Sequence, residues 1–400
     1  MATPQSIIGI FPTPGEIGQF DLVYTEDGDN GIPHIKTQPA TSLTEEEQKK
    51  YAFNALPFQN VHTHIIISTA SGTGLASTFF TQALQPLLAH MGLEETKNYT
   101  LHTTASISTV TDLTTTLFLP TAASGTPQRL ILLSGDGGLL DILNALLSTP
   151  SSPTFKPPTI ILLPLGTGNA LAHSTLPAGD ATHGLSALAR GTPHPLPFFV
   201  ARFSPGARLL TNEARDSEPI PGGALYGAVV CSWGMHACLV GDSDTAAYRA
   251  HGAARFGMAA KEALFPADGG PPHAFKGLVS VRREGAGEWE ALAPGRSEHM
   301  YVLATLVSNL EKTFRISPAS SPLEARLRVV HFGPLGGDEV MRVMGLAYDG
   351  GKHVQEEAVG YEAVEGLRVE FKGLEEEGRW RRICVDGKIV RVESDGWVEV

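Results

Sequence analysis

The sequence lacks most of the features by which several large protein classes are recognised. Its three cysteines, Cys231, Cys238 and Cys384, have the spacing of neither a disulfide framework nor a zinc site. Lys and Arg total 30 against 42 Asp and Glu, so the formal net charge is −12. This balance provides neither a basic footprint for nucleic acid nor a broad attraction to anionic lipid surfaces. We expect a protein of a reducing compartment that binds no nucleic acid.

Several local signals are absent as well. No apolar run approaches the ~18 residues that span a bilayer, and the N-terminus lacks the basic and apolar regions of a signal peptide. There is no Gly-x-Ser-x-Gly elbow of a serine hydrolase and no Walker A loop. His62 and His64 would share one strand face, but no nearby Cys or carboxylate completes a metal set. We interpret both histidines as structural and predict no metal ligands, with a cytoplasmic location.

Two strand–turn–helix segments dominate the first half of the chain. Apolar residues 130–133 predict a buried strand, Gly-Asp-Gly-Gly at 135–138 breaks it, and Leu and Ile then recur at helical spacing. Residues 159–164 predict another buried strand, and Gly-Thr-Gly-Asn at 166–169 repeats the turn. Because the carboxyl ends of neighbouring parallel strands face one crevice, we expect the two turns to lie together and to offer N–H groups to an anion.

The remaining pattern divides the chain into three parts. Residues 1–58 predict a small, β-rich extension. Residues 59–195 alternate strands with helices, including single helices over 75–88 and 109–119, which predicts a doubly wound, parallel α/β domain. Residues 196–400 contain strand-like runs between Gly- and Pro-rich loops, and these predict a β-sandwich domain. Two of those runs, 225–231 and 274–281, are each interpreted as one strand.

The two glycine motifs resemble the catalytic domain of diacylglycerol and sphingosine kinases. Ser-Gly-Asp-Gly begins at Ser134, Leu-Asn-Ala-Leu at Leu143, and Pro-Leu-Gly-Thr-Gly-Asn-Ala-Leu-Ala at Pro164. Later segments resemble sphingosine and ceramide kinases more than bacterial diacylglycerol kinases; they are Ser232-Trp-Gly-Met235, Asp242-Ser-Asp244, Tyr248-Arg249, Ala254-Arg255-Phe256 and Val385-Asp-Gly387. The resemblance implies an N-terminal nucleotide-binding α/β domain, a lipid-binding β-sandwich, and a nucleotide in the cleft between them.

The resemblance also assigns roles to individual residues. Asp136 is expected to be the base or metal-linked carboxylate that acts on the lipid hydroxyl, unless it only caps the next helix. Arg249 and Arg255 match two arginines that reach the nucleotide phosphates, and Asp242 and Asp244 fall in the head-group segment. The other nucleotide-binding candidates lie in the loops and turns; they are Ser71, Gly72, Thr73, Gly74, Ser134, Gly135, Gly137, Gly166, Thr167, Gly168, Asn169, Asp386 and Gly387. For Asp386-Gly387, a plain hairpin turn is an equally good interpretation.

Two departures from the family change charge at the nucleotide site. The first loop has Ser68-Thr-Ala70 and Leu75 where many relatives carry Asn-Pro-Lys and a basic residue, and Lys388 stands where the family has glutamate. We expect a kinase that uses ATP and Mg²⁺ to phosphorylate a sphingoid base at a transiently visited membrane surface. Diacylglycerol or ceramide is the nearest alternative substrate. A non-catalytic lipid-binding regulator is a further alternative, and an NAD kinase fits less well because its Asn-Asn-Glu motif is missing.

Overall fold

The computed structural model describes residues 2–13, 15–54, 58, 60–72, 74–149 and 152–400. It divides into two compact units, Met1–His194 and Pro195–Val400. In the part of the chain described, no helix is both long and apolar enough to cross a membrane.

The first unit opens with an antiparallel sheet of β1 (Ile7–Pro12), β2 (Phe20–Glu26) and β3 (His34–Pro39). Helix α1 (Glu45–Tyr51) follows, and its N-cap residue Thr44 forms a capping box with Glu47, in which each side chain accepts the other residue's backbone N–H. The guanidinium of Arg190 donates to the carbonyl oxygens of Ile7 and Ile8 at 3.2 and 2.7 Å. This contact joins the N-terminal strands to the last helix of the same unit.

A four-stranded parallel sheet forms the centre of the first unit. Its strands are β4 (His62–Ile67), β5 (Tyr99–Thr103), β6 (Gln128–Ser134) and β7 (Thr159–Pro164), in the order β5-β4-β6-β7. Every residue of β6 is buried, as a run of Leu and Ile covered on both faces requires. Strand–helix alternation around a parallel sheet confirms the predicted α/β class.

The helices of this unit are α2 (Ala76–Phe79), α3 (Gln85–His90), α4 (Thr109–Leu113), α5 (Leu119–Ala123), α6 (Asp136–Leu147), α7 (Ala170–Thr175) and α8 (Leu185–Arg190). The two long helices predicted before β5 and β6 are each interrupted by a π turn, Phe80–Leu84 and Thr114–Phe118. Pro86 and Pro120 follow these turns within the next helix. Because proline has no N–H to donate, it favours such a local change of hydrogen bonding.

The second unit contains two large antiparallel sheets. The eight-stranded sheet has the order β10-β9-β22-β21-β12-β17-β18-β19, and the six-stranded sheet β11-β8-β23-β20-β14-β15. The strands are β8 (Phe199–Phe203), β9 (Arg208–Thr211), β10 (Asp216–Pro219), β11 (Ala224–Gly227), β12 (Val230–Gly234), β13 (Phe275–Lys276), β14 (Leu278–Arg282), β15 (Glu290–Ala291), β16 (Glu298–His299), β17 (Tyr301–Thr305), β18 (Leu327–Phe332), β19 (Gly360–Val364), β20 (Gly366–Glu370), β21 (Arg382–Val385), β22 (Lys388–Arg391) and β23 (Trp397–Glu399).

Trp233 of β12 packs edge-to-face on Phe371, which directly follows β20, so side chains of the two sheets share a core. Four helices accompany the sheets; they are α9 (Met235–Asp242), α10 (Ala246–Arg249), α11 (Ala254–Leu264) and α12 (Gly337–Tyr348). The antiparallel sheets confirm the predicted β-rich class of this unit.

Two of the predicted single strands are wrong. Residues 225–231 belong to β11 and β12, which lie in different sheets. Residues 274–281 are divided between β13 and β14 at Gly277. At Gly277 a Cβ atom would lie 2.8 Å from the Trp233 ring, so this position packs against the core as a glycine.

Candidate active site

Three glycines bring separate loops into contact at the carboxyl edge of the parallel sheet. A Cβ atom built on Gly166, after β7, would lie 2.3 Å from the Cα of Gly135, after β6. A Cβ atom on Gly72, after β4, would lie 2.3 Å from the carbonyl oxygen of Leu165, and Gly72 has a φ of +55°. Since no side chain fits at these distances, glycine is what allows the loops to meet. The two glycine motifs therefore lie together as predicted, and the loop that follows β4 contacts them as well.

Side chains hold these loops in place through backbone hydrogen bonds. The Ser71 hydroxyl accepts the Gly135 N–H at 3.2 Å. Asn169 closes its own turn, because its Oδ1 accepts the Gly166 N–H and its Nδ2 donates to the Gly166 carbonyl, both at 2.8 Å. Two N–H groups predicted to face a phosphate are therefore engaged within the protein. Ser71 and Asn169 position the loops here, a role that the sequence patterns did not indicate.

Other predicted loop donors differ in their surroundings. The N–H groups of Gly72, Thr167 and Gly168 donate to no group among the described residues, whereas the Gly74 N–H donates to the Ser71 carbonyl at 2.9 Å. Thr73 lies outside the described residues. Three backbone donors from two of the loops thus remain available to an anion.

Two further candidates are placed by the packing of α6. Ser134 is buried at the end of β6, and a Cβ atom on Gly138 would lie 2.7 Å from its hydroxyl oxygen. Gly137 is exposed, and a Cβ atom there would meet nothing within 4 Å. Gly138 is therefore restricted by its neighbours, whereas Gly137 is not.

Asp136 links the two glycine motifs directly. It is the first residue of α6, yet its carboxylate accepts the N–H groups of Ala170 and Leu171, at 2.7 and 3.1 Å, where α7 begins. Desolvation raises the pKa of this carboxyl above its ordinary value, and the Leu171 and Ala170 hydrogen bonds oppose that shift. Asp136 thus caps the N-terminus of α7 rather than that of α6, the helix in which it lies. A raised pKa also suits a general base, which works best with a pKa near the operating pH.

In the second unit, three candidate residues interact with one another. Arg249 binds Asp244 through two hydrogen bonds of 3.0 Å, Nε to Oδ1 and Nη2 to Oδ2. Arg255 Nη1 reaches Asp244 Oδ1 at 3.3 Å. The hydrogen bond to Asp244 raises the pKa of Arg249, whereas desolvation lowers that of Arg255. The two arginines expected to bind phosphate are therefore ordered by a carboxylate expected to bind the lipid head group.

Asp242 has two cationic partners of its own. Arg382 Nη1 lies 2.7 Å from Oδ1 and Arg379 Nη2 lies 2.9 Å from Oδ2. Neither arginine was among the sequence candidates, although the run Arg379-Trp-Arg-Arg382 is a local cluster of basic residues. Asp242 is thus neutralised within the protein.

Asp386 and Gly387 form the two-residue turn between β21 and β22, with φ values of +46° and +94°. Positive φ at both positions is typical of a type I′ hairpin. The Asp386 carboxylate accepts the N–H groups of Ala228, Val229 and Val230, at distances between 2.6 and 3.1 Å. Lys388 begins β22 opposite Val385. Asp386 and Gly387 therefore form a hairpin turn, and the Asp386 carboxylate also anchors the backbone of residues 228–230.

The first unit is thus an α/β fold in which three loops and the carboxylate of Asp136 meet at the carboxyl edge of a parallel sheet. Residues 62–200 match the family model described as the diacylglycerol kinase catalytic domain. This part of the chain is therefore similar to the catalytic domain of a family of lipid kinases, which are phosphotransferases that act on an alcohol group.

Solved structures show the same fold. A structure from Bacillus anthracis str. Sterne, described as a candidate diacylglycerol kinase, is 12% identical, with a TM-score of 0.54, and the match covers 85% of this chain and 94% of that one. A second structure of the same description and organism has a TM-score of 0.53 at 12% identity, with the same coverage. No curated protein matched the chain.

Proposed function

We propose that the chain transfers the terminal phosphoryl group of ATP to a lipid hydroxyl, with Asp136 as the general base. The observation that carries this proposal is the position of Asp136 among three loops that meet at one edge of the sheet. Phosphoryl transfer relies on positioning and charge stabilisation, and a base must orient the attacking hydroxyl. The Ala170 and Leu171 N–H groups orient the carboxylate, which would then accept the lipid hydroxyl proton.

The residues present also fit the nucleotide. Gly72, Thr167 and Gly168 offer three N–H donors to phosphate oxygens, and glycine permits close approach of the backbone. In the described part of the chain, no group of three or more possible ligands is arranged to hold a metal. Mg²⁺ commonly binds through one or two carboxylates plus substrate phosphates, so Asp136 is the residue that would hold it. When bound, Mg²⁺ would offset the negative charge of the phosphates.

The geometry supports an uncharged lipid alcohol such as diacylglycerol better than a sphingoid base. A sphingoid ammonium would need a carboxylate, yet Asp242 and Asp244 are each paired with two arginines. The sphingoid base remains the second candidate because the segments around Ser232, Asp242 and Tyr248 resemble sphingosine and ceramide kinases. Either substrate would bring the protein to a membrane surface transiently.

The test is phosphate transfer by the purified full-length chain from labelled ATP with Mg²⁺. The acceptors are diacylglycerol, ceramide and sphingosine in mixed micelles, with NAD as the non-lipid control. We expect diacylglycerol to accept most label. Preferential labelling of sphingosine would favour the sphingoid candidate. Labelling of NAD alone would refute a lipid kinase activity and favour an NAD kinase. Labelling of no acceptor would leave the non-catalytic interpretation.

A further inference from the structure

Exposed apolar side chains follow one side of α12 in the second unit. Gly337, Met341, Met344 and Tyr348 recur at intervals of three or four residues, which places them on one side of the helix. Met341 is 46% and Tyr348 is 53% exposed, and Met344 is half-buried. The stripe of α12 that faces the core is a different one, and it consists of Val340, Val343 and Ala347. The helix therefore presents a second apolar stripe to solvent.

Aromatic residues extend this stripe at both ends of the helix. At its N-terminal end, a Cβ atom on Gly337 would lie 2.9 Å from the ring of Phe265, which is 44% exposed. At its C-terminal end, the ring centroids of Phe314 and Tyr348 are 4.8 Å apart. A contiguous exposed apolar surface of this kind marks an interaction site. The apolar strip, as we name it, consists of Phe265, Met341, Met344, Tyr348 and Phe314.

Basic side chains flank both ends of the apolar strip. Lys261 lies one turn before Phe265, whose N–H donates to the Lys261 carbonyl oxygen at 3.0 Å. Lys312 and Arg315 lie on either side of Phe314, and the Arg315 N–H donates to a carbonyl oxygen of α12 at 3.0 Å. All three side chains are exposed, and none has a carboxylate partner in the part of the chain described. In a chain of net charge −12, these ends of the strip complement a negative partner.

The acidic residues near the strip have roles of their own. Asp338 and Glu339 lie in the first turn of α12, where carboxylates stabilise a helix N-terminus, and Glu339 is also paired with Arg342 at 2.8 Å. Glu311 accepts the Tyr348 hydroxyl at 3.4 Å, and desolvation raises the pKa of its carboxyl. A carboxyl with a raised pKa is neutralised more readily, so Glu311 opposes an anionic partner less than an ordinary glutamate would.

We propose that the apolar strip and its three flanking cations are the surface by which the second unit docks on an anionic lipid bilayer. Aromatic and methionine side chains would enter the boundary between head groups and acyl chains, and the cations would remain among the anionic head groups. A second copy of this chain fits less well. Because both ends of the strip carry cations, two strips packed in either direction would bring cations together.

The inference rests on the proposed function, because a lipid acceptor is what would bring the protein to a bilayer. None of the residues of the strip belongs to the glycine loops or to the arginine and aspartate candidates. The surface can therefore be changed without changing the proposed phosphoryl-transfer residues.

The test is cosedimentation of the purified full-length protein with vesicles of equal parts phosphatidylcholine and phosphatidylserine, without ATP. Met341→Glu should lower the partition coefficient at least ~10-fold, because the strip loses an apolar side chain and gains a negative charge. Leu374→Glu is the matched control, since Leu374 is 41% exposed in the same unit but follows β20 instead of flanking α12. This control should bind the vesicles as the parent does.

The flanking cations are tested by the double variant Lys312→Gln and Arg315→Gln. Its binding to the mixed vesicles should fall at least ~10-fold, because each basic residue near the surface adds to the attraction of anionic lipid. Its binding to pure phosphatidylcholine vesicles should equal that of the parent. An equal loss on both kinds of vesicle would contradict the role assigned to the cations.

Other outcomes would overturn the docking surface itself. These are absence of vesicle binding by the parent, or equal binding by Met341→Glu and Leu374→Glu. A parent dimer in sedimentation equilibrium that Met341→Glu dissociates would assign the strip to a second copy instead. Thermal melting establishes that Met341→Glu is folded; if it is not, Tyr348→Ser should still weaken vesicle binding.

Failure of the docking surface and failure of the proposed kinase activity give different results. A parent that binds the vesicles through the strip but labels no lipid would lose the kinase proposal and keep this one. A parent that labels lipid, with vesicle binding unchanged in Met341→Glu, would keep the kinase proposal and lose this one.

Discussion

Replacing Asp136 by asparagine should abolish turnover while changing stability little. The variant keeps one side-chain oxygen but loses the second acceptor for the Ala170 and Leu171 N–H groups, and losing one such hydrogen bond typically costs about 1 kcal/mol. The same change removes a carboxylate whose pKa burial raises, so it also relieves a desolvation cost. These effects oppose each other, and we expect the free energy of unfolding to change by less than ~1 kcal/mol. Loss of a positioned base should lower kcat by at least ~10²-fold.

Asp180 provides the matched control in the same unit. Its carboxylate accepts the N–H groups of Thr182 and Gly184, at 3.2 and 2.9 Å, just before α8. Asp180→Asn should therefore cost about 1 kcal/mol of stability and leave kcat near the parent value. Chemical unfolding and lipid phosphorylation would be measured on both variants. Near-normal turnover in Asp136→Asn, or an equal loss of turnover in Asp180→Asn, would refute the assignment of the base.

The raised pKa of Asp136 also determines two pH effects. The acid limb of the kcat/KM profile should lie above the ordinary Asp value of 3.8, because the base must be ionised. A native pKa above the unfolded value means that the native state holds the proton more tightly. This stabilisation is complete below the unfolded pKa and is lost as pH rises through the native pKa. The parent should accordingly gain stability relative to Asp136→Asn as pH falls through that window.

Three further predictions test other candidate residues in the two units. Gly166→Ala should lower stability by about 1–3 kcal/mol and remove activity, because its Cβ would lie 2.3 Å from the Gly135 Cα. Gly137→Ala, whose Cβ would meet nothing within 4 Å, should leave stability unchanged; thermal melting of both variants and a transfer assay of Gly166→Ala check this. Arg249→Ala should weaken ATP binding by roughly 1.5–3 kcal/mol in titrations. Unchanged ATP binding would mean that Arg249 pairs with Asp244 and does not contact the nucleotide. Lys388→Glu should abolish activity if Lys388 compensates for the missing loop cation, and unchanged kinetics would place this turn outside the nucleotide site.

Elements whose formation depends on interactions between near neighbours in the chain were predictable from the sequence. Strand β7 has the predicted bounds, 159–164, and the capping box of α1 begins at a Thr-x-x-Glu pattern. The break between β11 and β12 was missed because its cause is remote: Asp386 binds the N–H groups of residues 228–230 from more than 150 positions away. The hydrophobic pattern of residues 225–231 does not indicate this contact, so it could not predict the break.

The candidate site shows the same limit. Asp136 and the glycines were identifiable from their motifs, but the acceptance of the Ala170 and Leu171 N–H groups depends on how two loops fold together. Likewise, Asp242 belongs to a plausible head-group segment, whereas its partners lie 137 and 140 residues away. Sequence motifs located the groups, and the tertiary contacts determined which charges remain available.

The charges around α9 support the proposal of an uncharged lipid alcohol over a sphingoid base as the substrate. Asp242 is held by Arg379 and Arg382, and Asp244 by Arg249 and Arg255, so each carboxylate faces two guanidinium groups. To bind there, a sphingoid ammonium would have to displace a bidentate arginine contact and then lie beside the remaining cations. An uncharged lipid alcohol meets neither cost. If sphingosine nevertheless proves to be the preferred acceptor, its ammonium must be recognised by other groups, and Asp242→Asn should then leave its phosphorylation unchanged.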